Sequence, residues 1–276
     1  MPVKIAALDL DGTTLDNRAQ LSEQNKQAII QAAKKGALVI PCTGRTNAEM
    51  PRELMELPQV RYCIMANGAK VLRMEDQKLL FSDCLDRKTA EQAISFASRY
   101  RCMCELYMDG HVFVEQHKLE DSTAYGVTPR IRELVENTRT GVRQLQVFFA
   151  RHRAPVEKIN VFFGDLEHRR QFLNDVQVFG NTVEITGSME TNAEINNKTA
   201  TKGRALQSLA QMLGVKRQEV LAIGDSGNDL SMLAYAGIPL AVANASSKAK
   251  LAAVEILPPN DQNAVAYALK KYILSL

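Results

Sequence analysis

Two aspartates, Asp9 and Asp11, stand two positions apart almost at the start of the chain. They follow a short apolar run, Val3 to Leu8, that reads as a buried strand, and they precede Gly12, Thr13 and Thr14. A strand that ends in paired carboxylates delivers them to the C-terminal edge of a sheet, where open α/β proteins build their active sites. Alternate residues of a strand share one side, so Asp9 and Asp11 project together if the extended geometry persists. Gly12 lets the chain turn sharply away and leaves both carboxylates at the rim. The competing reading is an Asp-Gly turn with solvated carboxylates, which short motifs also produce.

Other strand ends supply partners. Ala37 to Ile40 is a second apolar run and leads into Pro41-Cys42-Thr43-Gly44-Arg45. Glu219 to Ile223 leads into Gly224-Asp225-Ser226-Gly227-Asn228-Asp229, a glycine-rich turn with two carboxylates and an amide. Ile238 to Val242 ends in Ala243-Asn244-Ala245. Between these lie helices over 21–35, with Ser22 as N-cap and Gly36 as terminator, over 202–213, closed by Gly214, and over 229–236. A last helix is expected over 260–274. Thr46-Asn47-Ala48-Glu49 has the form of a capping box opening a further helix, although Pro51 intrudes on its first turns. Tyr62 to Ala66 is a third apolar strand, and Asn67-Gly68 turns it into a hairpin. Strands alternating with helices predict a parallel sheet wound with helices.

The pattern changes near Asp83. A helix is expected over 86–100, then strands over 103–108 and 111–115 joined by the strong hairpin turn Asp109-Gly110. A polar helix over 128–137, strands over 146–150 and 158–163, a helix over 166–176 and a strand over 183–185 complete this stretch. Hairpins mixed with helices suggest an α+β layer. The expected organisation is a Rossmann-like α/β core of residues 1–83 and 192–276, with residues 84–191 inserted as an α+β cap domain.

Composition narrows the function classes. A chain of 276 residues has ample length for a core, and its net charge of +3 is too small to argue for nucleic acid or a membrane surface. No signal-peptide pattern and no membrane-spanning run stands out. The five cysteines are scattered and read as reduced thiols of a cytoplasmic protein. The four histidines, all in the insert, show no ligand spacing, and most arginines between 130 and 170 read as a solvated face.

In order and spacing, Asp9-Leu10-Asp11-Gly12-Thr13, Thr43-Gly44-Arg45, Lys202-Gly203 and Gly224-Asp225-Ser226-Gly227-Asn228-Asp229 resemble the four motifs of the haloacid dehalogenase-like hydrolases. The Asn67-Gly68-Ala69 hairpin, the late lysine and the large insert look like the Cof-type phosphatase branch. The likeness spans essentially the whole chain.

The resemblance implies a Mg²⁺-dependent phosphatase acting on a small phosphorylated metabolite through an aspartyl-phosphate. Asp9 would be the nucleophile, and Asp11 the general acid and then the base. Asp9, Asp225 and the Asp11 backbone carbonyl would bind the metal, with Asn228 and Asp229 holding its bound water and the contacts behind its ligands. Thr43 and Gly44 would receive the phosphoryl oxygens, Lys202 would add positive charge there, and Asn244 would lie near the phosphate. Arg45 would face the substrate, or be a surface arginine. The cap would select the leaving group.

The same aspartate chemistry serves phosphomutases and phosphotransferases, and a non-enzymatic phosphoacceptor module also combines acidic residues, Thr and Lys. The expected assembly is a monomer or weak homodimer. The chain departs from the family pattern in two places: Asn197 and Thr199 replace a usual Pro and Gly, and Asn263-Ala264 stands where relatives commonly carry an acidic residue and Gly.

Overall fold

The computed structural model describes residues 2–187 and 189–275, apart from the side chain of Arg130. The first stretch forms β1 (Ile5–Leu8), α1 (Glu23–Lys34), β2 (Leu38–Pro41), the single turn α2 (Arg52–Met55), β3 (Tyr62–Met65), β4 (Lys70–Arg73) and β5 (Lys78–Ser82). Next come α3 (Arg87–Ala97), β6 (Cys102–Met108), β7 (His111–Glu115), α4 (Gln116–Glu120), α5 (Pro129–Thr138), β8 (Arg139–Val142) and α6 (Leu145–Arg151). They are followed by β9 (Val156–Phe163), α7 (Leu166–Asp175), β10 (Val183–Thr186) and β11 (Asn192–Asn197). The chain closes with α8 (Lys202–Met212), β12 (Val220–Gly224), α9 (Leu230–Tyr235), β13 (Ile238–Val242), α10 (Ser247–Ala252), β14 (Glu255–Leu257) and α11 (Ala264–Leu269). Among the described residues no helix is long and apolar enough to cross a membrane.

These elements form two compact units. One comprises Met1–Arg45, Met50–Ser82 and Ala200–Leu276; the other comprises Thr46–Glu49 and Asp83–Thr199. In the first, five parallel strands run in the order β14-β13-β12-β1-β2. All residues of β1 and β12 are buried, as strands covered on both faces require. The expected third strand does not extend this sheet fully. A single parallel bridge, Cys42 to Ile64, joins it to the end of β2, and β3 instead leads the antiparallel ribbon β3-β4-β5.

In the second unit six strands run β10-β11-β9-β6-β7-β8, antiparallel except for β7 beside β8. Side chains of α3, α6 and α7, among them Ile94, Phe149 and Phe172, pack with Leu106, Ile159 and Val161 of the sheet. By alternation the opposite face carries Glu105, Tyr107, Lys158 and Asn160, where Glu105 pairs Asn160 and Tyr107 pairs Lys158.

Several sequence expectations need correction. The segment 146–150 is not a strand but the body of α6. Its apolar run fits either period, and Leu145 and Phe149, four apart, are the pair that is buried while Val147 is exposed. The expected final helix begins only at Ala264, because Asn263 takes a left-handed backbone conformation (φ 59°) that interrupts it. The capping-box helix is cut short as well. Glu49 Oε2 accepts from the Thr46 amide (3.0 Å), but the turn over Asn47–Glu49 is 3-10, and Pro51 precedes a helix of one turn. Residues 192–199 group with the second unit because β11 pairs with both β9 and β10. The departures at Asn197 and Thr199 make contacts here: both donate to Asp83 Oδ1, at 2.6 and 3.0 Å.

Candidate active site

Parallel register puts the C-terminal ends of β1, β2, β12 and β13 along one edge, so Asp9, Thr43, Asp225 and Asn244 follow four strand ends. The centre of the site is a buried lysine. Lys202, the first residue of α8, places Nζ 2.6 Å from Asp9 Oδ1 and 2.7 Å from Asp229 Oδ1. Asp9, Lys202 and Asp229 are all buried. A cation in a helix's first turn opposes the helix dipole, and here two carboxylates offset that cost. Glycine at 203 permits the close approach that makes this possible, since a Cβ there would lie 2.2 Å from the Ser231 carbonyl oxygen.

Asp229 is fully engaged. Its Oδ2 accepts from the amides of Asp225 (2.9 Å) and Ser226 (3.0 Å), which folds the 224–229 turn around it. Asp9 is not. Its Oδ2 is buried and has no hydrogen-bond partner among the described residues. Thr14 Oγ1 donates to the Asp9 carbonyl and so fixes the backbone beneath that carboxylate.

The charges perturb one another. Burial, then Asp229, push the Asp9 carboxyl well above the usual carboxylate range; Lys202 pulls the other way and Asp225 adds to the rise. Asp225 is pushed up to about 6, first by burial and next by Asp229. Burial disfavours the charged form of Lys202, but Asp229 and Asp9 outweigh it and hold the ammonium more tightly than usual. Three carboxylates around one lysine leave excess negative charge, and ligand atoms of Asp9, Asp225 and Asp229 all lie within 4.8 Å of one another. A hard cation fits this donor set: an orphaned buried oxygen, an acid resisting ionisation and oxygen ligands only.

The remaining expected residues have defined partners. Gly12 (φ +81°) brings its backbone so near Asp225 that a Cβ would meet Oδ2 at 2.7 Å. Thr43 Oγ1 accepts from the Arg45 amide (3.0 Å). Arg45 grips Asp11 with both arms of its guanidinium, Nε to Oδ2 at 2.8 Å and Nη2 to Oδ1 at 2.6 Å. Asn228 donates to Asn67 Oδ1 (3.0 Å) and accepts from Ser226 Oγ (2.7 Å). Asn244 donates to the Gly12 carbonyl (2.8 Å) and accepts from the Asn260 amide (2.9 Å), so its side chain braces the loop that carries Asp11. Asn67, Thr14 and Asn260 were not singled out as site residues by the sequence reading. Only Asn67 left a local signal: its Asn-Gly pair marks the left-handed turn that sets its amide 2.8 Å from where a Gly44 Cβ would stand.

The sequence pattern of the haloacid dehalogenase-like hydrolases matches residues 6–269. The chain belongs to that family. It is 27% identical over 284 residues to the phosphatase YwpJ of Bacillus subtilis, covering 97% of this chain and 99% of that protein. It is also 27% identical over 287 residues to a B. subtilis 5-amino-6-(5-phospho-D-ribitylamino)uracil phosphatase, YwtE, covering 98% of each. A solved haloacid dehalogenase-like hydrolase from B. subtilis superposes with a TM-score of 0.83 at 26% identity, over 97% of this chain and 99% of that one. The protein is therefore a phosphatase of the Cof-type branch, with a parallel α/β core and an additional sheet-bearing unit.

Proposed function

We propose that the enzyme hydrolyses a small phosphorylated metabolite, a sugar phosphate or similar phosphomonoester, with Mg²⁺ and through an aspartyl-phosphate on Asp9. The observation that carries this reading is the division of labour in the Asp9 carboxylate, with Oδ1 held by Lys202 and Oδ2 buried with no hydrogen-bond partner among the described residues. Oδ2 attacks phosphorus, an O–P bond forms, and the ester P–O bond breaks toward the leaving oxygen. Asp11 gives that oxygen a proton. In the second step Asp11 takes a proton from water, the water oxygen attacks phosphorus, and inorganic phosphate leaves Asp9 as a carboxylate.

Lys202 carries a fixed positive charge beside the nucleophile, and Asp229 holds that lysine in place. Thr43, Gly44 and Arg45 would receive the phosphoryl oxygens. Asp9, Asp225 and the Asp11 carbonyl would hold Mg²⁺, with Asn228 and Asp229 behind them. The ion would supply positive charge against the repulsion between carboxylate and phosphate. Asn244 serves the same site by holding the Gly12 carbonyl. The second unit is assigned the choice of leaving group.

The test is phosphate release from a panel of phosphorylated metabolites with Mg²⁺ or EDTA, comparing the wild type with Asp9→Asn. Metal-dependent release that vanishes in the variant is expected. Release that persists in Asp9→Asn would overturn the assignment of the nucleophile. Transfer to a second sugar instead of water would replace hydrolysis by phosphotransfer.

A further inference from the structure

The group assigned to move protons, Asp11, has both carboxylate oxygens occupied by Arg45. In that state each oxygen already accepts a hydrogen bond from the guanidinium, which holds the Asp11 side chain turned toward Arg45. We propose, building on the phosphatase reading above, that Arg45 is a positioning residue that clasps Asp11 in the resting enzyme and releases it when a phosphoryl oxyanion draws the guanidinium away.

The two partners are unequally placed, which makes exchange possible. The Asp11 side chain is 54% exposed and that of Arg45 only 12%. A pair with one partner half in water is weak and readily exchanged. A guanidinium presented to phosphate oxygens makes one of the stronger charge-assisted contacts, in the same forked geometry it now offers Asp11.

The backbone around Arg45 is pinned. Its amide donates to Thr43 Oγ1 (3.0 Å), its carbonyl accepts from the Ala66 amide (2.9 Å), and the next amide, Thr46, donates to Glu49 Oε2 (3.0 Å). On the other side, the Asn244 amide holds the Gly12 carbonyl. Exchange therefore runs through rotation of two side chains, not through movement of the loops that carry them. It also separates two tasks, since a phosphoryl group must be present before Asp11 is free for proton transfer.

The Arg45 Nε–Hε signal in nitrogen-labelled protein, identified by its loss in Arg45→Lys, reports the clasp directly. In the free protein it should change position in Asp11→Asn. At saturating inorganic phosphate with Mg²⁺, wild type and Asp11→Asn should give the same Arg45 signal, because Asp11 is no longer its partner. An Arg45 signal that stays put while others shift saturably with phosphate would overturn the exchange and leave the phosphatase reading standing. No saturable response anywhere would sink both.

Kinetics give a second measure. With an alkyl phosphate, which depends on the general acid, Arg45→Gln should raise KM on the order of tenfold, the loss of one charge-assisted contact. The kcat should remain well above that of Asp11→Asn. If KM is unchanged and kcat falls to the Asp11→Asn level, Arg45 only holds Asp11 and no exchange takes place.

Discussion

Each unit of the chain buries an ionic cluster, and the two are built on different terms. In the second unit Arg139, nearly fully buried, is bound by Glu49 Oε1 (2.7 Å) and by Glu105 Oε1 (2.7 Å). The other two oxygens are also met, Glu49 Oε2 by the Thr46 amide and Glu105 Oε2 by Asn160 Nδ2 (3.0 Å) and Arg139 Nη2 (3.2 Å). The single hydroxyl proton of Tyr107 lies within reach of either carboxylate. Every oxygen of this cluster has a donor. In the first unit Lys202 stands between Asp9 and Asp229, Asp225 adds a third carboxylate nearby, and one Asp9 oxygen has no hydrogen-bond partner among the described residues. A satisfied cluster fixes structure; an unsatisfied one keeps a reactive group and a negative field in store.

The largest expected effect separates the clusters by chemistry. Asp9→Asn should lower turnover by several orders of magnitude, because an amide is a poor nucleophile, while the fold survives. Phosphate release by purified, folded variant measures it. Next is removal of each central cation. Arg139→Met leaves two buried carboxylates without their partner and should cost about 3–5 kcal/mol of stability, read by denaturant unfolding. Molecules that remain folded should still turn over. Lys202→Met should be inactive even where folded. If folded Arg139→Met were as dead as Lys202→Met, the division into structural and reactive clusters would fail.

A third effect is a dependence on pH. Asp225 is raised to about 6 from its ordinary 3.8, so protonation favours the folded state and that contribution is lost as pH climbs through this window. Asp9 is shifted in the same direction. In EDTA the melting temperature should therefore fall as pH rises from about 4 to about 6, and Asp225→Asn should flatten part of that slope. Saturating Mg²⁺ should restore stability at neutral pH, because a ligand that binds only the folded state stabilises it. A melting temperature indifferent to both pH and Mg²⁺ would mean that the carboxylates do not repel one another as their burial implies.

How much of this is legible in the sequence follows from how local each feature is. Asp9, Thr43, Asp225 and Asn244 each end an apolar run, so strand and rim can be read together from a few residues. Lys202 is legible only as one residue of an ordered set, since a lysine in a helix's first turn carries no signal alone. Arg139 was hidden for the opposite reason. It stands in a run of arginines that resembles a solvated face, and only the fold reveals Glu49 and Glu105 closing on it from positions 90 and 34 residues away. The segment 146–150 went astray because a five-residue apolar run has too few residues to distinguish a period of two from 3.6. The partners of Asn244 could not be read at all, because its contact with Gly12 spans 232 residues.

That contact supports the smallest prediction, and it refines what an unsatisfied cluster needs. Asp9 and Asp11 lead into a turn whose conformation depends on Gly12, and the Gly12 carbonyl accepts a hydrogen bond from a side chain in the C-terminal part of the chain. Asn244 is exposed, so Asn244→Ala should cost only about 0.5–1.5 kcal/mol of stability. The catalytic cost should exceed that share. Without Asn244 the carbonyl of Gly12 loses its fixed donor, and the neighbouring carboxylates lose their common reference. Turnover should fall while KM changes little if Asn244 acts through the loop, whereas a rise in KM with turnover preserved would place its amide on the phosphate itself. Steady-state kinetics on a single phosphomonoester decides between them, and either outcome says whether the open oxygen of Asp9 is poised by its own unit or completed by the substrate.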